Sequence, residues 1–327
     1  MRWTKLLTLL MLLGGIAHAR CDAHARQLVV AYPHYLKTCT DNAIVWRDGT
    51  RMVYDDGKRK SFDTALNHPD IEDMFRYRYP VGASGYNRPP TRNVDPGRIR
   101  YEPLFRKMYG DSAAQVRRRL TTISWFGQPV RVTKVNGVAG ALKRVEKDLQ
   151  RAVARDPRLR KYLTPIGGTF KWRRIAGTNR LSVHSFGAAI DINVKYSAYW
   201  RWSKGAYKYR NQIPLPVVEA FERHGFIWGG KWYHYDTMHF EYRPELLGKR
   251  SGRVAASSAP GPRKRPSPSR QPIGSPDTYT VVSGDTLYGI AKKLHTSVRA
   301  LREANTLESD TIRVGQRLTI PRGGRSR

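Results

Sequence analysis

Ser182-Val183-His184-Ser185-Phe186-Gly187-Ala188-Ala189-Ile190-Asp191 is the stretch on which the reading of this chain turns. It holds an imidazole and a carboxylate, with Gly187 free to turn the backbone between His184 and the apolar run carrying Asp191. Downstream, Asp236-Thr237-Met238-His239-Phe240-Glu241 supplies a second imidazole and two more carboxylates. A catalytic zinc typically takes three protein ligands from His, Asp or Glu and keeps a fourth position open. His184, Asp191 and His239 make such a set. Asp236, just before His239, is then suited to take a proton from an attacking water. Either spacing alone is common in turns and on surfaces; their weight comes from the strings around them.

Working outward, Ala188–Val194 and Met238–Tyr242 are apolar runs that predict strands. Val138, Leu142, Val145, Leu149 and Val153 recur at threes and fours and predict one amphipathic helix. Val217, Val218 and Phe221, after Pro216, predict a second, short one. The fold class is therefore α+β: a small antiparallel sheet with flanking helices over 136–248, with residues 20–135 as an N-terminal extension of the catalytic region. From 249 to 277 the chain is dense in Ser, Pro, Gly, Arg and Lys and almost free of apolar residues. That composition cannot offset its ordering entropy and predicts a flexible basic linker. Residues 278–322 then carry strand, helix, helix and strand signals.

The first 19 residues have the form of a secretory signal: Arg2 and Lys5, an apolar run from Leu6 to Ile16, and the small-x-small site Ala17-His18-Ala19. An exported chain in the periplasm, or in the extracellular space at the cell wall, is expected. Its two cysteines, Cys21 and Cys39, are then available for one disulfide. No stretch reaches the ~18 apolar residues of a membrane span. The 59 Lys and Arg against 26 Asp and Glu leave +33, which predicts attraction to anionic envelope polymers. A nucleic-acid partner is not expected, because no helix-turn-helix, zinc-finger or RNA-binding signature accompanies the charge.

The two strings resemble the D-alanyl-D-alanine carboxypeptidase and L-alanyl-D-glutamate endopeptidase family of zinc peptidases, over roughly Leu163 to Leu247. The pattern Ser-x-His-x-x-Gly-x-Ala-x-Asp is met at Ser182, His184, Gly187, Ala189 and Asp191, and Asp-x-x-His-Phe-Glu at Asp236, His239, Phe240 and Glu241. The resemblance implies Zn2+ on His184, Asp191 and His239, and Asp236 as the catalytic base. It also implies an upstream arginine that holds a substrate carboxylate. Arg173 fits best, with Arg174 and Arg180 left open, and Ser182 is placed with it on the substrate side. His234 is read as a supporting or surface residue, and His224 as lying near a helix end, where a cation suits the dipole. Tyr199, Trp200, Trp202, Trp228, Trp232 and Tyr233 are read as core and groove wall.

Residues 279–321 resemble a LysM domain, a small βααβ unit. Asp285 or Thr286 can cap its first helix and Ser297 its second. The resemblance implies binding to N-acetylglucosamine-containing glycan, peptidoglycan above all, through the loop Gly284, Asp285 and Thr286 and the loop after Asn305. The expected function is hydrolysis of peptidoglycan stem peptides, as endopeptidase or carboxypeptidase; the alternative is an inactive peptidoglycan-binding protein.

Overall fold

A computed structural model of the chain describes residues 21–203 and 205–248, and in a second unit 278–282, 285–294, 296–307, 309–313 and 315–321. The expected signal segment 1–19, the expected linker 249–277 and Gly284 lie outside the described residues.

The first unit begins with α1 (Ala23–Ala31), capped by the Asp22 carboxylate, which accepts from the backbone N–H of His24 and Ala25. A disulfide joins Cys21 to Cys39, fastening the start of α1 to β1 (Leu36–Thr40). That strand opens an antiparallel meander with β2 (Ala43–Trp46) and β3 (Arg51–Val53). Next come α2 (Phe62–Asn67), α3 (Glu102–Tyr109) and α4 (Ala113–Arg118). A hairpin of β4 (Leu120–Trp125) and β5 (Gln128–Thr133) turns through Phe126 and Gly127, both at positive φ.

The expected long helix is α5 (Val138–Arg155), with Val138, Leu142, Val145 and Leu149 buried. It is followed by α6 (Arg160–Leu163), β6 (Ala189–Asp191), α7 (Leu215–Glu222), β7 (Phe226–Trp228) and β8 (His239–Tyr242). The last sheet is antiparallel in the order β6-β8-β7, with Asp191 opposite His239 and Ala189 opposite Glu241. β6 is shorter than the apolar run Ala188–Val194. After Ile192 the Asn193 side chain accepts from Lys195 N and donates to the Lys161 and Thr164 carbonyls, which bends the chain off the ladder.

Residues 21–135 share one continuous apolar core with 136–248. Phe105 and Tyr109 of α3 pack on Phe186, ring centroids 5.9 Å away, directly behind the turn that carries His184. Each fully buried large apolar side chain contributes about 1.5–3 kcal/mol, so this segment is a structural half of the site's support.

The second unit is β9 (Thr278–Thr280), α8 (Leu287–Lys293), α9 (Val298–Ala304) and β10 (Arg317–Thr319), with β9 and β10 antiparallel. Val281, Leu287, Ile290, Ala291, Leu301 and Leu318 form its core. Among the described residues, no helix is long and apolar enough to cross a membrane.

Candidate metal centre

The centre is assembled by the β6/β8 ladder, because antiparallel partners present their side chains on one face. Asp191 and His239 are such partners. His184 arrives from a tight turn ahead of β6, where Ser182 Oγ accepts from His184 N. Gly187 closes that turn at φ 65°. A Cβ there would lie 2.7 Å from Leu120 Cδ2 and 3.1 Å from Thr133 N, so both conformation and space require glycine.

Three ligand-type atoms converge. His184 Nε2 lies 3.1 Å from both Asp191 Oδ1 and His239 Nδ1, and His239 Nδ1 lies 3.0 Å from Asp191 Oδ1. The outer nitrogens are engaged elsewhere, His184 Nδ1 by the Thr169 carbonyl and His239 Nε2 by Glu241 Oε2. Those partners accept, so with a cation bound each ring would keep its N–H outward and turn its lone pair toward the centre. Around a tetrahedral zinc with bonds of about 2.0–2.1 Å, ligand atoms sit roughly 3.3 Å apart. The donor set fits such an ion.

The electrostatics agree. Burial would raise the Asp191 carboxyl, but His184 and His239 hold it well below the usual carboxylate range. Burial would push the His239 imidazole down, but hydrogen bonds to Asp191 and Glu241 raise it to about 10. A proton and a cation therefore compete for the nitrogen that faces the centre. Asp236 lies beside the triad with a buried Oδ1 that has no hydrogen-bond partner among the described residues. Burial, then the charge of Asp191, pushes its carboxyl up to about 7. Two other acidic groupings, around Asp70, hold the Lys60 ammonium, whose Nζ lies within 2.7–3.0 Å of Asp56, Asp70 and Asp73.

The triad and Asp236 face a cleft of about 300 Å³ that Arg173, Ser182, Arg98 and Arg100 also line. A larger hollow of about 590 Å³, beside Arg155 and Tyr162, has no histidine in its lining. Of the three candidate arginines, Arg173 lies in the cleft, and no carboxylate among the described residues pairs with it. Arg174 is exposed and donates to the Asn179 carbonyl. Arg180 lines a separate small pocket with Glu102 and Phe105. In the second unit, Thr286 Oγ1 caps α8, while Asp285 accepts from Tyr279 Oη and Val282 N. Asn305 clamps β10 through both N–H and C=O of Thr319.

Glu241, Arg100, Arg243 and Asp95, all near the centre, carried no role in the sequence reading. Glu241 accepts from His239, Arg100 and Arg243, and Arg243 continues to Glu245, which accepts from Tyr32 Oη of the α1 cap. His234 Nδ1 lies 2.6 Å from Asp95 Oδ2, which also pairs with Arg98. Burial would raise the Asp95 carboxyl, but His234 and Arg98 lower it. His224 is not held as a cation at a helix end: burial lowers its imidazole, despite a 3.0 Å contact with Asp148. Trp228 and Trp232 are buried, whereas the other four members of the aromatic cluster are not.

Comparison with known proteins places names on both units. Residues 176–242 match the D-alanyl-D-alanine carboxypeptidase family. Residues 279–321 match the LysM domain. The peptidase match spans His184, Asp191, Asp236 and His239, and leaves Arg173 and all of 21–175 outside it. Among curated proteins, the chain is 54% identical over 48 residues to "Probable endopeptidase p60" of Listeria grayi, covering 15% of this chain and 9% of that protein. It is 51% identical over 43 residues to "Probable N-acetylmuramidase" of Lactococcus lactis subsp. lactis (strain IL1403), covering 13% and 10%. The chain thus spans about a tenth of the length of these relatives. No solved structure matches it.

Proposed function

We propose that the chain is a zinc-dependent peptidase of the cell wall that hydrolyses a peptide bond in peptidoglycan stem peptides and is held on the glycan by its LysM unit. The observation that carries this reading is the convergence of His184 Nε2, Asp191 Oδ1 and His239 Nδ1 beside an unpartnered buried carboxylate. Zinc on those three atoms would supply a Lewis acid able to activate water and polarise the scissile carbonyl. The rest falls to the chain's own groups. Arg173, with no carboxylate partner among the described residues, offers its guanidinium to a carboxylate of the peptide and fixes the register of the chain in the cleft. Asp236 Oδ1 accepts a proton from the attacking water and returns it to the departing amine nitrogen. Its raised carboxyl suits that exchange near neutral pH, although a divalent cation alongside opposes the rise. Glu241 keeps the His239 ring turned so that Nδ1 faces the centre.

Secretion into the periplasm or beyond, and a basic surface attracted to anionic envelope polymers, complete the reading. Metal analysis of the purified chain, together with mass spectrometry of muropeptides after digestion, tests it. One zinc per chain and a new peptide terminus are expected. Intact muropeptides with a zinc-loaded protein would leave a peptidoglycan-binding protein without peptidase activity.

A further inference from the structure

Beside the cleft, six rings follow one another in contact. Trp202 meets Tyr199 with centroids 5.8 Å apart, Tyr199 meets Trp200 at 6.2 Å, and Trp200 meets His234 at 4.7 Å. His234 then meets Tyr233 at 5.0 Å, and Tyr233 stacks on Tyr207 at 4.2 Å and 15°. None of the six is buried: Trp202 is 56% exposed, Tyr207 39%, and the other four are half-buried. Four of them, Tyr199, Trp200, Trp202 and His234, also line the cleft, so the ribbon starts at the metal centre's rim and runs outward. A connected apolar surface of this kind is costly to leave wet, and on a monomer it usually marks a binding site.

The rings have polar edges. The hydroxyls of Tyr199, Tyr207 and Tyr233 have no hydrogen-bond partner among the described residues, and the Arg201 guanidinium lies over the Trp200 ring at 5.1 Å. Only Tyr233 and Tyr207 are stacked, and the other four contacts are edge to face. Faces and hydrogen-bonding edges therefore alternate along the ribbon, which suits a pyranose with axial C–H groups on its face and hydroxyls around its edge. A stem peptide of alanine and acidic residues offers methyls and carboxylates but no broad apolar face.

We propose that this aromatic ribbon is a saccharide subsite of the peptidase unit, stacking a sugar of the glycan to which the stem peptide is still attached. The proposal rests on the peptidoglycan reading above and deepens it: the substrate class becomes glycan-linked peptide, and the LysM unit is no longer the only glycan contact. The Asp95–His234 pair, fixed by the 2.6 Å hydrogen bond, holds the ring at the junction between sugar track and cleft.

The test uses the full chain and a probe that needs no cleavage, the N-acetylglucosaminyl-N-acetylmuramic acid disaccharide without peptide. Residues 249–327 contain no tryptophan, so once residues 1–19 with Trp3 are removed tryptophan emission reports only on the peptidase unit. A saturable change in emission is expected. Tyr207→Ala, which removes the outermost ring and keeps every tryptophan, should weaken it about tenfold, a typical loss for an aromatic anchor. Tyr207→Phe, which keeps the stack, should bind within about twofold of the unaltered chain. In parallel, the ratio of kcat/KM for disaccharide-peptide over free peptide should fall about tenfold in Tyr207→Ala. No saturable change, or equal binding by Tyr207→Ala, would overturn the subsite, as would equal loss by Tyr207→Phe and Tyr207→Ala. Absence of cleavage with disaccharide binding intact would instead count against the peptidase reading alone.

Discussion

Glu241→Gln tests how the metal centre is held. Glu241 is fully buried, and its two oxygens serve four donors. Oε1 accepts from Arg100 Nε at 3.0 Å and Arg243 Nη1 at 3.2 Å; Oε2 accepts from His239 Nε2 at 3.0 Å and from Arg100 Nη2. Burial alone would raise this carboxyl, but Arg100 and His239 hold it well below the usual range, so it is charged at neutral pH. Glutamine keeps the shape and one oxygen, but its amide N–H₂ must face two of the four donors. In either orientation the neutral amide leaves the buried Arg100 and Arg243 guanidiniums without this counter-charge, and if it turns toward the arginines it also sets N–H against N–H. If it turns toward His239, the ring loses the acceptor that sets its tautomer. Losing one side of a buried pair costs about 3–5 kcal/mol, within a total stability of about 5–15 kcal/mol, so a folded but weakened protein is expected. Zinc affinity should fall by about 10–100-fold, the usual worth of such a supporting carboxylate. Competition with a chromophoric chelator measures the affinity, and circular dichroism checks that the variant is folded. A folded Glu241→Gln protein with zinc affinity within about twofold of the unaltered chain would refute the reasoning.

Asp236→Asn removes the proposed base without removing a ligand atom. Zinc content should stay near one per chain while turnover on a stem peptide falls about 10²–10⁴-fold, read by metal analysis beside a rate assay. Metal loss as large as in His239→Ala would move Asp236 into the ligand set. Zinc binding should also release protons. The His239 imidazole is raised to about 10 without a cation, so at neutral pH the bound proton must leave. Lower pH favours the proton, and affinity should therefore drop as pH falls, by up to about tenfold per pH unit. Calorimetry in buffers of different ionisation enthalpy counts the released protons, and a count near zero would contradict the proton-filled triad.

Much of the centre was legible as local chemistry. His184, Asp191, Asp236 and His239 stand in two short strings, and the structure brings all four into one cleft. Glu241 stood in the second string as well. On a strand, residues two apart share a face, so its approach to His239 could have been read from spacing. α5 was legible for the same kind of reason, since a 3.6-residue period is written in consecutive side chains. The strand after Ala188 was overextended because an apolar run cannot show where Asn193 turns the chain away.

What the sequence by itself determined is this local layer: residue types that bind cations, a glycine where the chain must turn, and apolar periods that select helix or strand. The tertiary structure alone decided which distant partners complete each local piece. Arg100 reaches Glu241, Asp95 orients His234, and Phe105 backs Phe186, across separations that leave no periodicity to read. It alone separated Arg173, in the cleft, from Arg174 and Arg180 beside it. It alone divided the Trp and Tyr cluster into two buried rings and an exposed ribbon. Burial and pairing belong to the packed chain, because a side chain's charge and exposure depend on neighbours that only folding brings within a few ångströms.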